Sequence, residues 1–227
     1  MQGAAHSGGR RRTGGRRSHR ARPGGRRKDS AALLTPGEVD ALVGACSTRA
    51  LTGIRNRALI LVLYRAGLRV SEALALHPAS LDHSSSALVA RAARSHAQRA
   101  ITLDPAVLGA LERWLARRSK AGLGPDQPIF CTLRGQPLKT PYVRALLPRL
   151  ARKAGISKRV HAGGLRDAHA VRLLALRMPL HAVQARLGHS SGASTNRYLR
   201  QLAPAAAIAM IPRPPRDRPQ PRRGRRR

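Results

Sequence analysis

Apolar residues recur at helical spacing through most of the middle of the chain. Val39, Leu42 and Val43 form a short stripe behind Thr35-Pro36-Gly37-Glu38. Thr35 can cap there, Pro36 suits a first turn and Glu38 closes a capping box, so the fold is predicted to begin with a helix at this point. Ala58–Tyr64 is almost unbrokenly apolar, a pattern shared by buried strands and buried helices. The Arg-Asn-Arg before it and Gly67 after it fit a buried helix better. Ala87–Arg91 and Arg99–Leu103 alternate roughly and are parted by polar residues, which predicts a hairpin. Asp104-Pro105 opens a helix with Val107, Leu111 and Leu115 on one face. Pro128–Thr132 reads as a short strand. A helix from Thr140-Pro141 aligns Val143, Leu146, Leu147 and Leu150 and ends near Gly155. Helices over Leu165–Leu176 and Pro179–Leu187 follow, Gly188 interrupts, and a last helix is expected around Ala193–Leu202. No internal repeat is visible. The expected fold class is mainly α with a small antiparallel β-sheet, an α+β domain.

The two ends break this pattern. Residues 1–30 are Arg, Gly, Ser and His with almost nothing apolar, and residues 212–227 alternate Pro with Arg. Such segments bury too little surface to offset their ordering entropy, so both are expected to be disordered tails around a folded domain at 32–204. The N-terminal tail reads equally as a phosphate-binding arm or as a solvated low-complexity segment.

Charge narrows the function. The chain carries 44 basic and ten acidic residues, a formal net charge of +34. The abundant Arg, Ala, Gly and Pro also fit GC-rich coding, so the location of the charge matters more than its total. Residues 1–30 hold ten basic and one acidic residue, and 212–227 hold eight and one, which removes +9 and +7 and leaves +18 on the middle. The folded part is therefore itself basic, and its default partner is nucleic acid.

Cys46 and Cys131 are isolated, which argues against a disulfide framework and a zinc site. No apolar run reaches membrane-spanning length, and the charged N-terminus lacks the hydrophobic segment of a signal peptide. A soluble, cytoplasmic protein is expected. Glu38, Asp40, Glu72, Asp82 and Asp104 show no clear triad spacing, which disfavours a metal-dependent transposase.

The most informative stretch is Gly164–Arg200, GLRDAHAVRLLALRMPLHAVQARLGHSSGASTNRYLR. It has Arg166 at a helix start, a Leu187-Gly188-His189 corner and, nine residues later, Tyr198. Upstream lies Tyr64-Arg65-Ala66-Gly67-Leu68-Arg69-Val70-Ser71-Glu72. The two stretches, in this order, resemble the arginine boxes of tyrosine recombinases, the phage-integrase family, with its LRH…LLGHSS…TTxxY and TGLRxSE patterns. The resemblance covers roughly residues 32–204. It implies cutting and rejoining of double-stranded DNA through a 3′-phosphotyrosine intermediate, with self-assembly on DNA, no cofactor and no metal. A mobile element is the expected setting.

Cleaving a phosphodiester without metal needs a nucleophile, cations on the non-bridging oxygens and an acid for the leaving oxygen. Of the three tyrosines, Tyr64 lies in the apolar run and Tyr142 in a first helical turn, whereas Tyr198 follows a polar Ser-Thr-Asn-Arg approach. The resemblance makes Tyr198 the nucleophile, Arg69 and Arg166 the phosphate-holding pair, and His189 a hydrogen-bond donor to the scissile phosphate. Glu72, three residues after Arg69, is placed to orient that guanidinium from the next turn.

The sequence departs from the family in three places. Gly163 stands where a histidine is expected three residues before Arg166, with His161 two residues earlier as the nearest candidate. Asp167 replaces the histidine often found after the arginine. Aligning Arg99–Asp104 with the family's RxVxL strand puts Arg94 where the hairpin should carry a proton-donating lysine, and no lysine occurs between Lys28 and Lys120. Arginine is a poor proton donor because its pKa exceeds about 12. Arg94 can still hold phosphate, and His96 is the nearby group able to donate. The resemblance does not extend to the family's separate N-terminal clamping domain, whose place the basic tail is expected to take. The leading reading is thus a tyrosine recombinase or integrase with impaired catalysis. Its rivals are a catalytically defective, integrase-derived DNA-binding protein and, last, a structural nucleic-acid-binding protein.

Overall fold

The computed structural model describes residues 33–91 and 98–188. Arg94, His96, His189, Tyr198, the expected last helix and both tails lie outside the described residues.

The first helix, α1 (Pro36–Gly44), begins where the capping box predicts. The Thr35 N–H donates to Glu38 Oε2 at 2.7 Å and the Glu38 N–H donates to Thr35 Oγ1 at 3.2 Å. Two donors that a helix start leaves orphaned are thereby satisfied. The apolar run over Ala58–Tyr64 is helical. It forms the second half of α2 (Leu51–Arg65), which starts seven residues before the run and is buried nearly all round. A helix of this kind has no amphipathic stripe because it lies inside the domain and is covered on every side.

Gly67 turns the chain out of α2 into the one-turn helix α3 (Val70–Leu74). A three-stranded antiparallel sheet follows, β1 (Leu81–Asp82), β2 (Ala87–Arg91) and β3 (Gln98–Thr102), in that spatial order. The hairpin therefore stands as expected, with β3 shifted one residue toward the N-terminus. Pairing of Leu88 with Ile101 and of Ala90 with Arg99 sets which side chains face inward. Leu88, Ala90 and Ile101 are buried, and Arg99, two residues from Ile101, shares their face.

Asp104 caps α4 (Pro105–Lys120) by accepting from the Val107 N–H at 3.0 Å, and its other oxygen pairs with Arg65 Nη1 at 3.1 Å. One carboxylate thus starts α4 and ties it to the end of α2. Trp114, on the inner face of α4, is fully buried and donates its indole N–H to the Ile129 carbonyl at 2.7 Å.

Pro128–Thr132 is not a strand. Only a single bridge forms there, between Cys131 and Pro137, although Ile129, Phe130 and Cys131 are fully buried. The Phe130 carbonyl accepts from the Leu138 N–H, and side chains take most of the other carbonyls. Trp114 holds Ile129, Arg118 holds Gln127 and Pro128, and Arg55 holds Cys131 at 2.8 Å. Pro128 has no N–H to offer a ladder.

Helix α5 (Thr140–Lys153) and the Gly155 turn match expectation. Helix α6 (Ala162–Ala175) begins three residues earlier than the apolar pattern suggested, because His161 caps it. Helix α7 (Leu180–Leu187) ends on Gly188 in the left-handed region, φ 63°.

Most buried apolar residues form one cluster centred on α2, whereas Ala170, Leu173, Leu174, Val183 and Leu187 form a second one between α6 and α7. No helix among the described residues is long and apolar enough to cross a membrane.

Candidate active site

The site is built on two corners. Gly67 has φ +66°, and a Cβ there would lie 2.6 Å from the His169 ring. Both the backbone angle and the lack of room require glycine. The turn buries Leu68 and leaves Arg69 at the start of α3, where its N–H donates to Glu72 Oε2 at 2.9 Å. The second corner is Leu187-Gly188, the end of α7, whose last carbonyls carry the negative pole of the helix.

Arg166 reaches both corners from the first turns of α6. It is 7% exposed, donates from Nη1 to the Gly67 carbonyl at 2.6 Å, and donates from Nη2 to the Leu187 carbonyl. Arg69 donates from Nη2 to the next carbonyl, Gly188, at 3.1 Å, a partner 119 residues away in sequence. The two arginines therefore meet at adjacent carbonyls immediately before His189. The Arg69 side chain keeps 45% of its surface exposed, so it can also face a ligand.

Glu72 sits beneath this pair, buried to 1%. Its Oε1 lies 3.4 Å from Arg69 Nη1. A shorter and bidentate partner went unassigned in the sequence. Arg99 donates from Nη1 to Oε1 at 3.0 Å and from Nη2 to Oε2 at 2.8 Å. Arg99 also donates from Nε to the Arg186 carbonyl at 3.2 Å. Strand alternation was the available signal, since position 99 shares the inward face of Ile101 and an inward arginine requires an acceptor. Burial pushes the Glu72 pKa up, yet hydrogen bonds from Arg99 and the Arg69 N–H, with the charges of Arg99 and Arg166, leave it below the ordinary value. The carboxylate is thus held ionised.

The remaining candidates divide. The exposed His161 caps α6, its Nδ1 accepting from the Gly164 N–H at 3.0 Å. Its ring lies beside Gly163, where a Cβ would come within 3.1 Å of Nδ1. Both line a cleft with Arg144 and Arg159, between α5 and the start of α6.

His169 is a further buried histidine that sequence reasoning did not single out. It is 1% exposed and meets Tyr64 edge-on at 6.5 Å, and neither ring nitrogen has a hydrogen-bond partner among the described residues. Burial, then the charges of Arg186, Arg172 and Arg166, lower its pKa from 6.5 to about 3. The fold therefore binds the neutral ring. Its contribution is complete above the ordinary histidine pKa and is lost as pH falls from there toward 3, at up to about 1.4 kcal/mol per pH unit. His169→Phe should flatten this acid loss, read as urea midpoints near pH 7 and near pH 5. Equal losses in the two proteins would rule the mechanism out.

Comparisons with known proteins bear on the family and the fold. The family model described as "Phage integrase family" matches residues 32–203. Tyrosine recombinase XerC of Xylella fastidiosa (strain M23) is 34% identical over 146 residues, which cover 64% of this chain and 48% of that protein. The crystal structure of XerA recombinase superposes with a TM-score of 0.68 at 27% identity, over 78% of this chain and 63% of that one. XerH site-specific recombinase, bound to difH substrate in a pre-cleavage complex, gives a TM-score of 0.65 at 25% identity, over 74% of this chain and 50% of that one. The chain spans about half the length of the curated relatives it matches. Because the family match runs from ahead of α1 to beyond the Gly188 corner, the chain belongs to the phage integrase family.

Proposed function

We propose that this chain is a tyrosine-type DNA recombinase or integrase that cuts and rejoins double-stranded DNA, with its acid step slowed. The observation that carries the reading is the meeting of Arg69 and Arg166 at adjacent carbonyls, directly before His189. Two guanidinium groups meeting at one corner concentrate positive charge there, and the half-exposed fork of Arg69 fits two phosphate oxygens at once. XerH, a relative with the same fold, is seen bound to its own DNA substrate.

In the proposed reaction the Tyr198 oxygen gives up its proton to solvent and attacks phosphorus, and the bond to the 5′ oxygen breaks. The DNA 3′ end is left on tyrosine, and the departing 5′ oxygen takes up a proton. Arg69, Arg166 and His189 stabilise the charge on the non-bridging oxygens. With Arg94 where the family carries a lysine, the proton must come from His96 or from water. Self-assembly on the DNA would supply the partner strand ends. The basic middle of the chain, +18 once the tails are set aside, supports binding to the duplex without the tails.

The rival reading, a DNA-binding protein that has lost catalysis, is favoured by Arg94 and Gly163 alone. A nicked suicide substrate separates the two. The nick lets the short 5′ product diffuse away, so a covalent complex survives denaturing electrophoresis, and peptide mapping should find the DNA on Tyr198. Retarded DNA with no covalent complex, even after prolonged incubation, would reject the enzyme in favour of the binding protein.

A further inference from the structure

Arg99 stands out because both of its Nη groups are given to Glu72, whose side chain is fully buried. Glu72 offers two oxygens, and four donors share them. Arg99 takes Oε1 at 3.0 Å and Oε2 at 2.8 Å, the Arg69 N–H takes Oε2 at 2.9 Å, and Arg69 Nη1 stands off from Oε1 at 3.4 Å. The Glu72 side chain is fully buried, so its charge must be answered by protein groups and not by water. Arg99 answers it in the strong bidentate geometry. Arg69 is thereby released from that duty, with 45% of its side chain exposed and a hydrogen bond to Gly188. Arg99 also supports the second corner. Its Nε–H holds the Arg186 carbonyl, and a Cβ on Gly188 would lie 2.9 Å from its Nη1.

From this we infer that Arg99 is a positioning residue, which neutralises Glu72 so that Arg69 stays turned toward phosphate, and which props the Gly188 corner ahead of His189. Remove Arg99 and the buried carboxylate draws on Arg69, which already stands 3.4 Å from Oε1, with Arg166 the other cation that lowers its pKa. Arg69 then swings inward to fill the vacated oxygens and gives up both Gly188 and its outward face. The inference rests on the proposed strand cleavage only for its rate measurement.

The test compares the wild-type chain, Arg99→Gln, Arg99→Lys and the double variant Arg99→Gln with Glu72→Gln. Two readouts are followed. One is the rate of covalent complex formation on the nicked substrate, alongside DNA affinity. The other is the Arg69 Nε–Hε NMR signal without DNA, assigned through Arg69→Lys. Arg99→Gln should shift the Arg69 signal and slow complex formation by about 10²-fold, the scale of an ångström of misplacement, while DNA affinity changes little. The double variant, with no carboxylate left to capture Arg69, should return the Arg69 signal toward wild type and recover roughly tenfold in rate, a coupling of the kind seen between touching residues. Arg99→Lys, which balances the charge but lacks the fork, should fall between. A passive anchor predicts the opposite order, with the double variant no better than the single one. An Arg69 signal unmoved in Arg99→Gln, or equally displaced in the double variant, overturns the inference. Should Arg99→Gln fail to fold, the double variant decides, because it strands no charge and should keep a near-wild-type Arg69 signal. A wild-type chain that forms no covalent complex would reject the cleavage reading, and the Arg69 signal would still decide the role of Arg99.

Discussion

On DNA carrying a 5′-bridging phosphorothiolate at the scissile position, the wild-type chain is expected to form its covalent complex about 10²–10⁴-fold faster than on ordinary DNA. That range is the usual contribution of general acid catalysis, and a thiolate leaves without needing a proton. The deficit is expected because Arg94 occupies the place of the family's proton-donating lysine. A guanidinium whose pKa exceeds about 12 can hold a phosphate but yields no proton at neutral pH. Arg94→Lys should therefore speed cleavage of ordinary DNA and leave the phosphorothiolate rate nearly unchanged. Tyr198→Phe should abolish the complex on both substrates, because it removes the attacking oxygen. Equal wild-type rates on the two substrates would mean that another group already supplies the proton, with His96 the first to examine.

Arg166→Ala should slow covalent complex formation about 10²–10³-fold on both substrates, the usual effect of removing one preorganised donor to a developing negative charge. The phosphorothiolate cannot repair this loss, since charge on the non-bridging oxygens is unaffected by the leaving group. Stability should fall as well, because Arg166 is buried and bridges the Gly67 and Leu187 carbonyls. Each carbonyl left without a donor costs about 1–3 kcal/mol. Arg166→Lys should recover little of the rate, for one ammonium cannot span both corners and present a fork to phosphate. Thermal melts identify the temperature at which the variants remain folded, and rates are compared there. An Arg166→Ala protein with wild-type cleavage would remove Arg166 from the chemistry.

Restoring a histidine at Gly163 is a less simple repair than the sequence alone suggests. The His161 ring already lies against that position while it caps α6. A side chain at 163 would press on that ring, which must give by a few tenths of an ångström while it holds a cap worth about 1 kcal/mol of helix stability.

Local chemistry made much of this protein legible from its sequence. The Thr35 and Glu38 capping box, the Asp104 cap and the alternation in β2 and β3 are short-range rules, and each element stands where they put it. The two arginine boxes were legible through their resemblance to the phage-integrase patterns, for their local geometries differ: Gly67-Leu68-Arg69 is a turn with Gly67 at φ 66°, whereas Gly164-Leu165-Arg166 lies inside α6. Pro128–Thr132 misled because its apolar run recorded burial and not pairing. Most of the carbonyls went to Trp114, Arg118 and Arg55, all remote in sequence. His161 and His169 look alike in the chain, yet one caps a helix at the surface and the other is packed neutral against Tyr64. The choice of Arg99 over Arg69 as the main partner of Glu72 likewise needed the sheet to pack against α3. The sequence by itself determined the longer helices, the hairpin, their order and the basic charge, because those follow from neighbours along the chain; the short α3 and β1 were not legible in it. Only the tertiary structure decided which of 39 arginines share an acceptor, because hydrogen bonds and buried charge depend on distance in space.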